Sequence, residues 1–209
     1  MSLLTPWGYT VTDADALSPL LTPQAFDALT ANKYAGDTRI APHIAAASAA
    51  IRNYCGWHVA PSHACEWKER LLSANGRVKR SGTDIIIQLP AAYVSLVSSV
   101  LIGGEPFTDF ALLPAGLLRL FDAAHMAARK TEITVAYTAG LPGELTDALE
   151  ELAAGRVVHG LASTPGIASE SAGGVSVSYS QGWSSGGGAS ALQSTDVEVL
   201  APYRLLEVF

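Results

Sequence analysis

The spacing of apolar residues along the chain changes period twice, from helical to alternating and back. Thr22-Pro23 is a helix start: a hydroxyl at the N-cap, then proline at the first helical position, where its missing N–H costs nothing. That helix is predicted to run to about Lys33. A second begins near Asp37 and carries Ile40, Ile44, Ala47, Ile51 and Tyr54 at steps of three and four, which lines one helix face. Gly56 closes it. The middle of the chain then alternates. Residues 66–72 follow period two, Asn75-Gly76 signals a hairpin, and residues 85–89 form an apolar run stopped by Pro90. Residues 94–102 are rich in β-branched side chains and end in Gly103-Gly104. Ile133, Val135 and Tyr137 alternate with Glu132, Thr134 and Thr138, the clearest half-buried strand. Helix period returns at Gly143, with Leu145, Leu149, Leu152, Val157 and Leu161 as its stripe and charges ordered to suit the helix dipole.

These patterns predict an α+β chain. It is expected to hold about three to four helices, an antiparallel β insert and an extended C-terminal arm. The segments are an irregular N-terminal arm (1–21), a helix pair (22–60) and the β-rich insert (61–140). A third bundle helix (141–163), a Gly/Ser-rich segment with one short strand (164–195) and a terminal docking arm (196–209) complete the order. In the Gly/Ser-rich segment Val175, Val177 and Tyr179 alternate, and Gly186-Gly187-Gly188 reads as a flexible joint.

Composition changes this picture in one respect. Charged residues make up only 15% of the chain while 49% is hydrophobic, which fits either a surface partly covered by other subunits or simply the alanine-rich composition of a GC-rich genome. A formal charge of −6 argues against a polyanion binder. No basic n-region with an apolar core, and no apolar run of membrane-spanning length, is read in the sequence.

Three clusters carry candidate chemistry. Gly182-Trp183-Ser184-Ser185-Gly186 matches the G-x-S-x-G nucleophile pattern. A hydrolase elbow needs a helix next and a histidine later. A glycine run comes next instead, and no histidine comes after His159, so Ser184 is read as part of a linker. Cys55-x-x-His58 followed by His63-x-Cys65 has the ligand types of a tetrahedral zinc site. The spacing fits no zinc signature, and a thiol ending an apolar helix face is ordinary packing, so no metal or cofactor is expected. Lys68, Arg70, Arg77, Lys79 and Arg80 place five of the thirteen basic residues in one predicted hairpin. That hairpin offers contact to DNA phosphates or an acidic partner, or simply a solvated edge.

The order of segments completes the reading. Ala50-Ile51-Arg52-Asn53-Tyr54-Cys55-Gly56-Trp57 ends the helix pair, and Ile133-Thr134-Val135-Ala136-Tyr137-Thr138-Ala139-Gly140 precedes a helix opening after Pro142. Gly174-Val175-Ser176-Val177-Ser178-Tyr179-Ser180 and Leu200-Ala201-Pro202-Tyr203-Arg204 come after it. In this order and spacing, over roughly residues 22–206, the chain resembles the gp6-like head-tail connector (adaptor) proteins of tailed bacteriophages. The insert 61–129 departs from the shorter members. The resemblance implies a small helical bundle with an antiparallel β insert, a structural virion protein with no catalytic residues, assembled in the host cytoplasm as a ring of about twelve subunits below the portal. It implies two partners, the portal protein and the next neck protein, with DNA passing through the lumen without sequence-specific binding and no membrane contact. The portal-docking residues would be Leu200, Tyr203, Arg204, Leu205 and Leu206. The alternatives are another ring-forming tail-completion or neck protein and, last, a serine hydrolase using Ser184.

Overall fold

The computed structural model of the chain describes residues 2–71, 76–126, 131–162, 169–172, 175–178 and 192–205. In chain order the elements are β1 (Leu3–Leu4), β2 (Tyr9–Val11), α1 (Pro23–Leu29), α2 (Ile40–Cys55) and β3 (His63–Arg70). They continue with β4 (Val78–Ser81), β5 (Asp84–Gln88), β6 (Val94–Ile102), β7 (Glu105–Pro106), β8 (Phe110–Leu113), β9 (Leu117–Leu120) and β10 (Glu132–Ala139). The last are α3 (Asp147–Ala162), β11 (Ser169–Ala172), β12 (Val175–Ser178) and α4 (Ser194–Leu200). The chain divides into two compact units. One is Met1–Ser18, Arg52–Thr146 and Ala201–Phe209; the other is Pro19–Ile51 and Asp147–Leu200.

The first unit is built on two antiparallel sheets. Six strands in the order β1-β2-β3-β10-β6-β7 make the larger, and β4-β5-β9-β8 the smaller. The larger sheet has one apolar face, for a simple reason. Pairing Tyr9 with Trp67 and Trp67 with Val135, then Val11 with Cys65 and Cys65 with Tyr137, puts every alternate apolar residue on the same side. All six are buried, as are Ile133 and Val100. Glu66, Lys68 and Arg70 take the opposite, exposed side. In the smaller sheet Ile85 pairs with Leu120 and Ile87 with Leu118, all buried. Its exposed side is fastened by Asp84, whose carboxylate accepts from Arg119 Nε at 2.8 Å and from the Asp122 N–H at 3.0 Å.

The second unit holds α1, most of α2, α3, the β11–β12 hairpin and α4. Thr22 caps α1 as the sequence predicts, its Oγ1 accepting from the Ala25 N–H at 3.1 Å. The helix stops at Leu29 rather than near Lys33, because Ala31 and Asn32 turn to positive φ. Phe26, Ile44, Ala47 and Ile51 are buried, as are Leu149, Ala153 and Val157 of α3. A buried ion pair, Arg156 Nε to Asp196 Oδ2 at 3.2 Å, joins α3 to α4.

Three expectations are corrected. The chain is not a small helical bundle with a β insert: the two sheets have their own core and draw in the N-terminal residues. Residues 1–21 are not an irregular arm throughout, since Tyr9 and Val11 alternate inward and extend the sheet beside β3. The C-terminal residues are not extended, for α4 and a 3-10 turn (Ala201–Tyr203) occupy them and Leu200 is fully buried.

Trp67→Ala should cost about 3–5 kcal/mol of stability, since it empties the middle of the apolar face. Lys68→Ala, one position away on the exposed face, loses only a solvated pair with Glu132 and should change stability by less than about 1 kcal/mol. Urea unfolding of both variants checks the facing.

Candidate functional site

At the end of α2 the chain makes a dense polar knot inside the first unit. Arg52, in the last turn of the helix, is buried, and no carboxylate among the described residues pairs with it. Its guanidinium donates instead to three backbone carbonyls: His58 O at 2.8 Å, Ser18 O at 2.6 Å and Ala60 O at 2.7 Å. Gly56 ends the helix with φ +77, its N–H returning to Arg52 O at 2.9 Å. The chain then bends through a three-residue turn in which the Ala60 N–H donates to His58 O at 2.8 Å around Val59 at φ +65. A β-branched residue at positive φ is strained, at a cost of about 1–3 kcal/mol, and persists only where its surroundings fix it.

His58 supplies much of that fixing. Ala139 O, at the end of β10, accepts from His58 Nε2–H at 2.9 Å. The other ring nitrogen therefore accepts from the Tyr9 hydroxyl, with Tyr9 Oη and His58 Nδ1 2.6 Å apart. The Tyr9 oxygen in turn accepts from the His58 N–H at 3.0 Å. Burial holds the imidazole pKa down at about 4, so His58 is neutral near pH 7. Burial also pushes the Tyr9 hydroxyl up, and the Cys55 and Cys65 thiols up to about 12. The Arg52 pKa falls only to about 10, leaving it charged. Gly140 completes the knot: at φ +127, a Cβ there would stand 2.4 Å from Pro61 O, so only glycine allows β10 to pass this close.

The zinc candidates do not make a cage. Both nitrogens of His58 are in hydrogen bonds, His63 Nδ1 meets Asp13 Oδ1 at 2.9 Å, and both cysteines are free buried thiols. Among the described residues no group of three or more His, Cys, Asp or Glu is placed to hold a metal ion. The basic residues do not share a hairpin. Lys68 and Arg70 lie on β3, which pairs with β2 and β10; Lys79 and Arg80 lie on β4, which pairs with β5. Arg77 sits just before β4, its carbonyl accepting from the Gln88 N–H. The reason is facial: Cys65 and Trp67 match the apolar positions of β10, so β3 joins that strand while β4 turns back on β5 through Gly82-Thr83. The turn expected at Asn75-Gly76 falls at residues 72–75, outside the described residues. Ser184 and its motif lie outside the described residues.

The terminal segment returns to the same knot. Tyr203 O accepts from Trp57 Nε1–H at 2.7 Å, and Cys55 O accepts from the Leu205 N–H at 2.8 Å. The Arg204 guanidinium lies 5.7 Å from the centre of the Tyr54 ring and is otherwise exposed. Leu200 is buried, Tyr203 and Leu205 are half-buried, and Leu206 lies outside the described residues. Sequence periodicity picks out Tyr54 and Leu200 but not the knot, because Arg52 and His58 act through backbone carbonyls that no motif records. No protein-family model matches the sequence, and comparison with curated proteins gives no match.

Removing the cation is the first check on the knot. Arg52→Ala leaves the buried Ala60 carbonyl without its donor and His58 O with the Ala60 N–H alone, and should lower stability by about 1–3 kcal/mol in denaturant unfolding. The second check is pH. The His58 pKa is depressed from 6.5 to about 4, so between those values the unfolded chain binds a proton that the folded chain refuses. Stability should therefore fall as pH drops from 6.5 towards 4, by at most about 1.4 kcal/mol per pH unit. His58→Gln should flatten that slope, measured by urea unfolding across the window.

Proposed function

We propose that this chain is a subunit of the head-tail connector of a tailed phage or phage-like particle, a ring of about twelve copies that extends the DNA channel below the portal. One observation carries the reading. Three segments that give the sequence its resemblance to connector proteins meet at a single place in the fold. They are the helix end at Tyr54-Cys55-Gly56-Trp57, the strand end at Ala139-Gly140, and the terminal Pro202-Tyr203-Arg204. A shared order of short motifs has physical meaning when the motifs build one locus, and here they do. The implied bundle is not the fold found, so the reading rests on this locus rather than on overall architecture.

The low charge content and the exposed apolar residues of the first unit, Leu4, Tyr93, Leu96 and Leu145, suit a subunit covered by neighbours. A net acidic subunit also suits a channel through which DNA slides. The portal contact falls on Arg204 and residues 206–209, since Leu200 is buried and the backbones of Tyr203 and Leu205 are engaged at the helix end. The second partner is the next neck protein. On this reading the protein belongs to the virion neck and is assembled in the host cytoplasm.

The test is assembly. Mass photometry and negative-stain microscopy should find closed rings at high concentration or on the portal of its own particle; a monomer with no affinity for that portal overturns the reading. Arg204→Glu combined with deletion of 206–209 should abolish portal binding without lowering the melting temperature of the subunit. Deletion from Asp196 is unsuitable, because it removes Leu200 and the partner of Arg156.

A further inference from the structure

Strand β6 has an edge that the sheet does not use. One side pairs with β10 along its length, whereas on the other β7 covers only Leu101 and Ile102. One more bond, from the Phe107 N–H to Val100 O at 2.9 Å, ends that cover. Pro106 in β7 cannot donate to a ladder, so the pairing goes no further. Residues 94–99 are left, among the described residues, with no strand on their outer side. Edges of this kind are ordinarily guarded by lysine, proline or a covering element. This one carries no charged residue and no proline from Val94 to Ile102, and Leu96 is 57% exposed on it. Two register shifts against β10, at Ser98 and Ser95, are the one guarding feature this edge has, and neither charge nor proline on β6 reinforces them.

The same chain contains a hairpin that lacks a sheet. Strands β11 and β12 pair with each other, Ala172 opposite Val175 and Ser169 opposite Ser178, and with no other strand among the described residues. The other described elements of its unit are helices. A two-stranded hairpin is marginal alone in water and gains stability from a third strand. Its strands are four residues each, within the open run of β6, and Glu170 is their only charge.

We infer that the β11–β12 hairpin of one copy adds to the open β6 edge of the next, so that strand pairing is the contact between neighbouring subunits. Main-chain hydrogen bonds supply the attachment, and the nearly uncharged character of both partners removes any electrostatic barrier. The contact joins two different surfaces and is therefore head-to-tail, the kind that closes into rings, whereas pairing two β6 edges would stop at a twofold dimer. This inference rests on the assembly reading above and names the surface that reading requires.

Single-cysteine variants test it, since the native Cys55 and Cys65 are buried. Ser98→Cys and Ser176→Cys proteins, distinguished by mass tags, are mixed at the concentration where the wild type assembles and treated with a short bis-maleimide. The expected product is a mixed covalent dimer whose linked peptides join position 98 of one chain to position 176 of the other. Links only between two copies of position 98, or closure only within single chains of the double variant, overturn the inference. A second variant, Leu96→Lys with Ser98→Lys, places charges on exposed edge positions and should weaken assembly at least tenfold with an unchanged melting temperature. Rings that persist in this variant overturn the strand contact alone. A wild type that forms no oligomer, free or on its portal, overturns the assembly reading and the contact with it.

Discussion

The first unit depends on one buried cation. Arg52 is enclosed with no carboxylate paired to it among the described residues and is held by three carbonyl oxygens. A buried guanidinium is tolerable only when its donors are met, and here two of the three acceptors come from the chain reversal after α2, the third from Ser18. The dependence is mutual. Without Arg52 the Ala60 carbonyl turns inward unmatched and His58 O keeps only the Ala60 N–H; without the strained turn at Val59 the two carbonyls would not converge. His58 links this reversal to the sheet, through Ala139 on β10 and Tyr9 on β2, and stays neutral because burial forbids its charge. Its two nitrogens thus play opposite parts, one donor and one acceptor, which a protonated ring cannot do.

Legibility in the sequence divides along the same line. Elements whose stability comes from side-chain spacing were readable: the Thr22 cap, the apolar face of α2, and the strands at 94–102 and 132–139 all lie where periodicity places them. Elements that depend on a distant partner were not. Tyr9 and Val11 are too few to show a period, and they form a strand only because β3 offers a matching face. The error over the basic hairpin has the same origin. β3 finds its partners in β2 and β10, both distant in sequence, so basic residues close in the chain are divided between two sheets. The knot was invisible for a different reason. Arg52 and His58 look like a surface charge and a candidate ligand, and their role is decided by the direction of carbonyls, which no residue type encodes.

The terminal segment shows how a partial reading is sharpened. Its apolar content suggested an arm free to dock, yet part of that content is already committed. Leu200 is buried and Trp57 holds Tyr203 by its carbonyl. A segment tied at two backbone points offers a partner a fixed direction rather than a loose tether, and preorganisation of that kind lowers the ordering cost of binding. On the proposed reading, the portal would meet Arg204, held beside Tyr54 at the end of α2.

An uncharged sheet edge and an unsupported hairpin are each a liability alone, since both expose unpaired backbone groups to any passing strand. Their presence in one chain changes the balance. If each is the other's partner in a neighbouring copy, closing the ring covers every open β6 run and leaves free only the short outer strand of each hairpin, so the assembled set exposes less edge than its members do apart. The lack of guarding charge is then a requirement, because lysine on β6 would repel stray strands and the intended one alike. That logic predicts where protection should remain. The exposed face of the same sheet needs no partner, and there Glu66, Lys68, Arg70 and Glu132 stand where β6 carries serine, valine and leucine. Charge is kept on the face that stays in water and withheld from the edge that must be joined.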